Sequence, residues 1–270
     1  MNELTKITIV TISYNSEKTI ERTIQSVISQ KYDNTEYWII DGKSTDSTMK
    51  IVKEYAEKYD FIKYISEKDN GISDAFNKGI KKSTGELIGL INSDDCLAEG
   101  ALQTVNEIYL KTKADVIYGD TIVHDVDNGL TLYKHAGKPE QLKYEMPFIH
   151  QSSFIKRSVY EEYGMYSSEY KICMDYDMLA RIFRKGCTFA NTEKILSIFQ
   201  YGGTSCQHPI RTINEDMKIA MKYGLSNRDA RKYKIKHIPV SLIKFIMSNL
   251  RIWRPFYCVI KRKSVIKNKK

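Results

Sequence analysis

The strongest constraint on the fold is a regular alternation of β-rich runs and helical patterns over the first 120 residues. The β-rich runs cover residues 7–13, 37–40, 61–66, 87–91 and 116–120. One intervening segment places Ile72, Ala75, Phe76, Gly79 and Ile80 at the i, i+3, i+4, i+7 and i+8 spacing of one helix face. Strands that alternate with helices of this length predict an α/β fold with a mostly parallel central sheet and helices on both faces.

The rhythm changes after residue 120. Residues 146–200 have a mixed α and β pattern, with a helix expected near residues 176–185, and residues 210–270 are mainly helical. We therefore expect a domain over residues 1–205, with halves 1–120 and 121–205, followed by an extension over residues 206–270.

Composition narrows the class of protein. Hydrophobic residues make up 42% of the chain, enough for a sizeable core. The five cysteines are scattered and show no C-x-x-C pair, which favours a reducing, cytoplasmic location over a disulfide framework or a zinc site. The sequence shows no signal segment, and no apolar run approaches the roughly 18 residues of a membrane-spanning helix.

Polar residues gather where the predicted strands end. Segment 11–15 closes the first strand, Asp41 the second and segment 92–95 the fourth, while segment 69–71 follows the third. Because ligands of open parallel sheets bind beyond the carboxyl ends of the strands, these four segments predict one binding site at one edge.

Five strings in this order resemble glycosyltransferase family 2, whose nucleotide-binding fold is the Rossmann-like GT-A fold. They are TISYN at 11–15, IIDGKSTDST at 39–48, SEKDNGISDAFNKG at 66–79, NSDD at 92–95 and MDYDMLAR at 174–181. The resemblance implies a GT-A domain that transfers one sugar from a nucleotide-diphosphate donor, a UDP-sugar being expected, to an acceptor hydroxyl.

The resemblance also implies which residues bind the donor nucleotide. Asp41 is expected to accept a hydrogen bond from the uracil N–H, a charge-assisted contact. Thr11, Ser13 and Tyr14 would hold the base and ribose, with Asp94 near the ribose or donor sugar. From the residues alone, Asp41 is equally explained as the first residue of a turn before Gly42.

Asp94 and Asp95 form the predicted metal site. Two carboxylates would repel a diphosphate unless a divalent cation lies between them, and Mg²⁺ or Mn²⁺ prefers such oxygen ligands. The D-x-D motif of the family has Asn92 at its first position here, and we expect Asp95 to be the direct ligand. His208, which follows a Gly-Gly-Thr-Ser segment, is a further candidate metal ligand. The alternative is a turn that caps the helix after Leu97.

Asp175 is the predicted catalytic base. An acceptor hydroxyl must lose its proton as it attacks the anomeric carbon, and a carboxylate within hydrogen-bonding reach can accept that proton. Asp177 lies two residues on, so the two side chains do not share a helix face. The family motif selects Asp175, which leaves Asp177 a supporting or capping role.

Other candidates follow from the resemblance. Asp69, Asp74 and Lys78 would contact the donor sugar and phosphates, although Lys78 is equally explained as a solvated helix residue. His150 and Gln151 would line the acceptor site, although a buried, hydrogen-bonded histidine explains His150 equally well.

The C-terminal segment carries most of the net charge of +9. Residues 231–270 hold 13 Lys and Arg and no Asp or Glu, whereas the rest of the chain has a net charge of −4. Apolar residues recur at helical spacing among these basic residues: Leu242, Ile243, Ile246, Leu250 and Trp253. A basic amphipathic helix with aromatic residues is typical of a segment that lies on an anionic membrane, and we assign residues 238–270 this partner. The alternative is a helix that packs on the domain.

The sequence therefore predicts a metal-dependent, inverting hexosyl- or N-acetylhexosaminyltransferase of bacterial-type polysaccharide biosynthesis. Its acceptor would be a glycan or a lipid-linked intermediate, and it would lie on the inner face of the plasma membrane. No nucleic-acid recognition motif accompanies the basic stretch. Two alternatives stay open: a sugar nucleotidyltransferase, disfavoured because residues 11–20 contain no glycine of a phosphate loop, and a membrane-surface adaptor without activity.

Overall fold

The computed structural model describes residues 4–125, 129–203 and 207–249. In these ranges the strands are β1 Ile7–Ser13, β2 Thr35–Asp41, β3 Ile62–Ser66, β4 Leu87–Asn92, β5 Cys96–Leu97, β6 Val116–Asp125, β7 Leu130–Lys134, β8 Ser153–Lys156 and β9 Phe189–Gln200. The α-helices are α1 Ile20–Ile28, α2 Thr48–Lys58, α3 Ile72–Lys82, α4 Ala101–Thr112, α5 Arg157–Tyr163, α6 Met174–Arg184, α7 Pro209–Lys222 and α8 Asn227–Asn249. Short 3-10 helices lie at Pro139–Lys143 and His150–Ser152.

The described strands form one sheet in the order β3-β2-β1-β4-β8-β6-β9-β5, with β7 paired to β6. β1 to β4 are parallel, and β8 runs antiparallel between β4 and β6. Ser13 is in register with Asp41, and Ile12 with Asn92. The carboxyl ends of β1, β2 and β4 therefore meet at one edge, and the predicted α/β fold is confirmed.

Two hydrophobic clusters cover the two faces of the sheet. One joins Ile9 and Ile39 to side chains of α1, α2 and α4, and the other joins Val10 and Ile40 to side chains of α3, α6 and α7. α3 approaches β1 so closely that a Cβ on Gly79 would lie 2.2 Å from Val10 Cγ1, so only glycine fits there. The sheet is thus buried on both faces, as β-rich runs without polar alternation require.

One boundary differs from the sequence expectation. α6 begins at Met174, two residues earlier than predicted, which places Asp175 in its first turn. α1 begins at Ile20, and in the loop before it the hydroxyl of Ser16 is hydrogen-bonded to that of Ser93 at 2.7 Å. Both starts leave polar side chains of the family motifs at the edge of the sheet.

The C-terminal helices differ in how they pack. α7 buries Ile213, Met217 and Ala220 in the same cluster as α6, while α8 buries Ala230 and exposes more of its length. Leu250, Trp253 and the other predicted features beyond residue 249 lie outside the described residues. None of the helices within the described ranges is both long and apolar enough to cross a membrane.

Candidate active site

A cavity of about 890 Å³ opens at the carboxyl edge of the sheet. Its walls come from the loops after β1, β3 and β4, the segment 146–151, the first turn of α6 and one side of α7. The predicted site residues that line it are Ser13, Tyr14, Asp69, Asp94, His150, Gln151 and Asp175. Side chains from both halves of the chain therefore meet in one cavity of a size that suits a small-molecule ligand.

Ser13 and Tyr14 lie at the end of β1, where Tyr14 is 65% exposed. Thr11 is different: it is fully buried, and its hydroxyl is hydrogen-bonded to that of Tyr37 at 2.9 Å. Thr11 therefore does not make the expected nucleotide contact, because its side chain points into the protein interior beside Tyr37 of β2.

Asp41 is also fully buried, at the end of β2. Its carboxylate accepts hydrogen bonds from the hydroxyls of Ser13, Ser44 and Ser66 and from the backbone N–H of Ser44. These four donors use the acceptor sites of a carboxylate. Asp41 thus has the turn-stabilising role, and a direct contact with a base requires one of the serines to move.

The segment from Asp69 to Lys78 divides in two. Asp69 lines the cavity and accepts the N–H of Gly71 at 2.9 Å. Asp74 instead accepts the N–H of Asn70, and Lys78 forms an ion pair with Glu67 at 2.9 Å. Asp74 and Lys78 do not line the cavity, so they do not make the expected contacts with the donor sugar and phosphates. Both side chains instead stabilise the first turns of α3.

Asp94 and Asp95 differ in their access to the cavity, contrary to the expectation that Asp95 is the direct metal ligand. Asp94 lines the cavity, whereas Asp95 is fully buried and accepts hydrogen bonds from Gln151 Nε2 at 2.6 Å and from the N–H of Gln200 at 2.8 Å. Burial raises the pKa of Asp94, and burial together with the charge of Asp94 raises the pKa of Asp95 to about 7. Asp94, rather than Asp95, is therefore the carboxylate placed to meet a ligand or a cation.

The described residues contain no group of three or more His, Cys, Asp or Glu side chains that could hold a metal ion. His208 is exposed at the start of α7 and lines a second pocket with Leu242 and Phe245 instead of the cavity of Asp94, so its expected metal role stays a prediction. A single carboxylate such as Asp94 still suits Mg²⁺ or Mn²⁺, because these ions commonly take one or two carboxylates and complete their shell with phosphate oxygens and water.

Asp175 and His150 face each other across the cavity wall. His150 Nδ1 lies 3.1 Å from Asp175 Oδ2, and the other carboxylate oxygen accepts the N–H of Tyr176 at 2.8 Å. An ionised carboxylate only accepts, so the proton of this bond belongs to Nδ1 of His150. The Asp175 side chain is 24% exposed, so it is oriented by two donors and still reaches the cavity.

Two buried polar atoms beside Asp175 have no hydrogen-bond partner among the described residues: Nε2 of His150 and Oε1 of Gln151. Gln151 is 2% exposed and lines the cavity. Unmet hydrogen bonds of buried groups cost free energy, and at a cavity wall they indicate a place for a polar ligand.

Two contacts from α7 hold the start of α6. Glu215 accepts the backbone N–H groups of Lys171, Ile172 and Cys173, at 2.9 to 3.3 Å. Three residues into α6, Asp177 is bonded to Lys222 at 2.8 Å and to the Tyr223 hydroxyl at 3.1 Å. These contacts agree with the supporting role expected of Asp177.

Asp216 is a cavity residue that sequence reasoning missed. It lies on α7 and lines the cavity near Asp175 and the thiol of Cys173. Burial, followed by the negative charges of Asp175 and Glu215, raises the pKa of Asp216 to about 6, although the Cys173 thiol opposes this. A sequence signal was present: Asp216 follows the buried Ile213 by three residues and so shares its helix face.

The sequence model of glycosyl transferase family 2 matches residues 8–178, which run from the second residue of β1 to the first turn of α6 and include Asp94 and Asp175. The chain belongs to this family. It is 28% identical over 203 residues to EpsE of Bacillus subtilis, a match that covers 73% of each chain. Over 132 residues it is also 28% identical to the glycosyltransferase GlyA of Streptococcus pneumoniae, where the match spans only 19% of GlyA.

Two solved structures share the fold. S. aureus TarS 1-349 in complex with UDP-GlcNAc has a TM-score of 0.62 at 16% identity, covering 96% of this chain and 76% of that one. Mannosyltransferase PcManGT of Pyrobaculum calidifontis, in complex with GDP-Man and Mn²⁺, has a TM-score of 0.65 at 17% identity, covering 92% and 74%. The likeness shows that the chain has the GT-A fold.

Proposed function

We propose that this protein is a metal-dependent, inverting transferase that moves one sugar from a UDP-sugar to an acceptor hydroxyl in polysaccharide biosynthesis. The observation that carries the proposal is the single cavity that joins Asp94, at the end of β4, to Asp175, at the start of α6. Two roles are needed, a group for the diphosphate end and a base for the acceptor, and the two carboxylates lie on elements from different halves of the chain.

Ser13 and Tyr14 would hold the nucleoside, and Asp69 the donor sugar. Asp94 would hold Mg²⁺ or Mn²⁺, and the ion, when bound, neutralises charge on the departing diphosphate. Binding of GDP-Man and Mn²⁺ by PcManGT and of UDP-GlcNAc by TarS supports a nucleotide-sugar donor; a hexosyl or N-acetylhexosaminyl group is proposed on the same ground.

Asp175 would accept the proton of the acceptor hydroxyl as that oxygen forms its bond to the anomeric carbon. The bond from the anomeric carbon to the diphosphate oxygen breaks at the same time, and the diphosphate leaves with the electron pair. One base opposite one leaving group gives direct displacement, and therefore inversion. His150 would keep the Asp175 carboxylate pointed at the acceptor, and Gln151 would hold Asp95 behind Asp94.

The Asp175→Asn variant tests the base. We expect it to lower release of UDP from UDP-hexoses and UDP-N-acetylhexosamines in the presence of acceptor by at least about 100-fold, because the amide cannot take the proton. Affinity for UDP, measured by calorimetry, should not change. Asp74→Asn is the matched control, since Asp74 lies outside the cavity, and it should keep wild-type turnover.

Turnover that survives in Asp175→Asn would overturn the assignment of the base. Release of pyrophosphate from a sugar phosphate and UTP would instead support the nucleotidyltransferase alternative. The wild-type protein would be the inactive adaptor if no donor released its nucleoside diphosphate.

We further propose that α8 docks on the anionic inner face of the plasma membrane, which would bring a lipid-linked acceptor to the cavity. Ile235, Val240, Ile243 and Ile246 are each more than half exposed, and the exposed Lys232 and Lys236 lie among them. Leu242 does not belong to this face, because it lines the pocket between α7 and α8. Exposed apolar and basic side chains on one helix complement an anionic lipid surface.

Vesicle flotation tests this partner. The full chain should float with vesicles that contain phosphatidylglycerol and stay behind with phosphatidylcholine alone. The double variant Ile243→Asp/Ile246→Asp should bind at least about tenfold less, because two apolar side chains that would be buried in the lipid are replaced by charged ones. Tyr64→Asp, a change at an exposed aromatic residue of β3, should bind normally. Equal flotation of the double variant would refute the docking face.

A further inference from the structure

Asp216 is a largely buried carboxylate with an unusual environment. It lines the wall of the active-site cavity, and among the described residues no Lys or Arg forms a salt bridge with it. Its neighbours are instead acidic, namely Asp175, Glu215 and Glu145, together with the thiol of Cys173. Burying a carboxylate among like charges opposes folding, so packing alone does not account for Asp216.

The surroundings of Asp216 indicate which end of the cavity it serves. Asp216 and Thr212 face the cavity from α7, next to the first turn of α6 that carries Asp175. The loops that supply Tyr14, Asp69 and Asp94 come from the other half of the chain. If Asp175 receives the proton of the acceptor, then Asp216 lies on the acceptor side of the reacting atoms.

The same wall combines hydrogen-bonding and apolar groups. Met146, Phe148 and Ile172 line it, and the unpartnered atoms His150 Nε2 and Gln151 Oε1 lie close by in the chain and in the same cavity. A sugar ring presents both hydroxyl groups and C–H groups. A carboxylate can accept hydrogen bonds from the hydroxyls, and the apolar side chains beside it can pack against the C–H groups.

We propose that Asp216 is a specificity-determining residue that binds a second hydroxyl of a sugar acceptor, while Asp175 takes the proton of the attacking hydroxyl. This inference rests on the proposed function and specifies the class of acceptor. The group that receives the donor sugar is itself a pyranose ring with at least two free hydroxyls. The requirement for a ligand explains why this largely buried carboxylate has no cationic partner among the residues that the structure describes.

The test uses Asp216→Asn and a panel of methyl glycosides as probes, namely those of glucose, galactose, N-acetylglucosamine and N-acetylgalactosamine. Binding to the full chain is followed by saturation-transfer NMR with saturating UDP and Mg²⁺. We expect at least one glycoside to bind the wild type and to bind Asp216→Asn at least about tenfold more weakly, because a charge-assisted hydrogen bond is lost. Asp229→Asn, an exposed aspartate of α8, is the matched control and should bind like the wild type.

Binding of UDP separates this inference from the proposed function. The proposed function fails if UDP and Mg²⁺ do not bind the wild type. If UDP binds, two results for the glycosides show that Asp216 has been misassigned: Asp216→Asn retains the wild-type affinity for them, or none of the panel binds the wild type. A folded Asp216→Asn with a lower affinity for UDP would show the same. Misfolding is recognised independently, from the far-UV circular dichroism and cooperative thermal unfolding of the variant, which a folded Asp216→Asn keeps.

Discussion

At the scale of single residues, the site is built from carboxylates with different surroundings. Asp41 is buried under four donors, Asp95 is buried under three amide donors of Asn92, Gln151 and Gln200, and Asp94 and Asp175 reach the cavity. Asp216 is partly buried and forms no salt bridge with a Lys or Arg in the described part of the chain. The carboxylates whose oxygens already accept several hydrogen bonds from the protein stabilise the local backbone. The carboxylates that accept fewer such bonds remain available to bind a ligand.

Asp216→Asn should stabilise the protein at neutral pH. The pKa of Asp216 is raised to about 6 in the folded protein, while an unfolded aspartate titrates near 4, so the folded state binds the extra proton between these values. The contribution of the Asp216 carboxyl to the free energy of unfolding is therefore present at low pH and lost as the pH rises through about 6. Urea unfolding should show Asp216→Asn gaining on the order of 2–3 kcal/mol over the wild type between pH 4 and pH 7.

The difference between the two proteins isolates Asp216 from the other titrating groups. A pH-independent difference would mean that Asp216 is ionised in both states and well solvated. That result would remove the argument that this carboxylate is held at a cost for the sake of a ligand.

At the scale of elements, α7 acts as a brace for α6. Glu215 binds three consecutive N–H groups just before α6, and Arg211 binds Glu215 in turn at 2.9 Å. Burial alone would raise the pKa of Glu215, but the N–H groups of Ile172 and Cys173 and the side chain of Arg211 lower it below its usual value. An anionic group at the N-terminal end of a helix is also favoured by the helix dipole.

Glu215→Ala should loosen the turn that carries Asp175. It leaves buried N–H groups unpaired, so we expect a loss of about 1–3 kcal/mol in urea unfolding and a lower kcat for sugar transfer, with unchanged affinity for UDP. Glu215→Gln keeps an acceptor oxygen and should recover most of both. Glu161→Ala, an exposed control on α5, should change neither. If Glu215→Ala lost stability but kept its full kcat, α7 would support the fold without positioning the base.

The elements were more predictable than the contacts. The strand runs at residues 7–13 and 87–91, and the stripe on α3, follow from apolar periodicity, which depends on local sequence. The position of Thr11, Asp74 and Lys78 in the motifs predicts that they contact the donor. In the structure Thr11 is instead hydrogen-bonded to Tyr37, Asp74 to Asn70, and Lys78 forms an ion pair with Glu67. The start of α6 was predicted two residues too late, because Glu215, which binds the N–H groups just before it, lies 42 to 44 residues away in the chain.

At the scale of the whole molecule, one sheet brings together two kinds of chemistry. The parallel strands β1, β2 and β4 end at the edge where Ser13, Tyr14 and Asp94 lie, and the later strands and helices bring Asp175 and Asp216 to the same cavity. The motifs predicted that the ends of β1, β2 and β4 meet, because strands of a parallel sheet end on the same side, and the family resemblance added Asp175. Neither pointed to Asp216. They did not predict that Asp94 reaches the cavity and Asp95 does not, since neighbouring residues differ in burial for reasons of tertiary packing.

A calorimetric titration of UDP into the full chain tests the central claim most directly: that Asp94 holds a divalent cation against the diphosphate. UDP should bind roughly tenfold or more tightly with Mn²⁺ than with EDTA, a difference of about 1.4 kcal/mol. Asp94→Asn should remove that gain, and Asp229→Asn should leave it unchanged. Equal affinity with and without the ion, or a full metal effect in Asp94→Asn, would contradict the account.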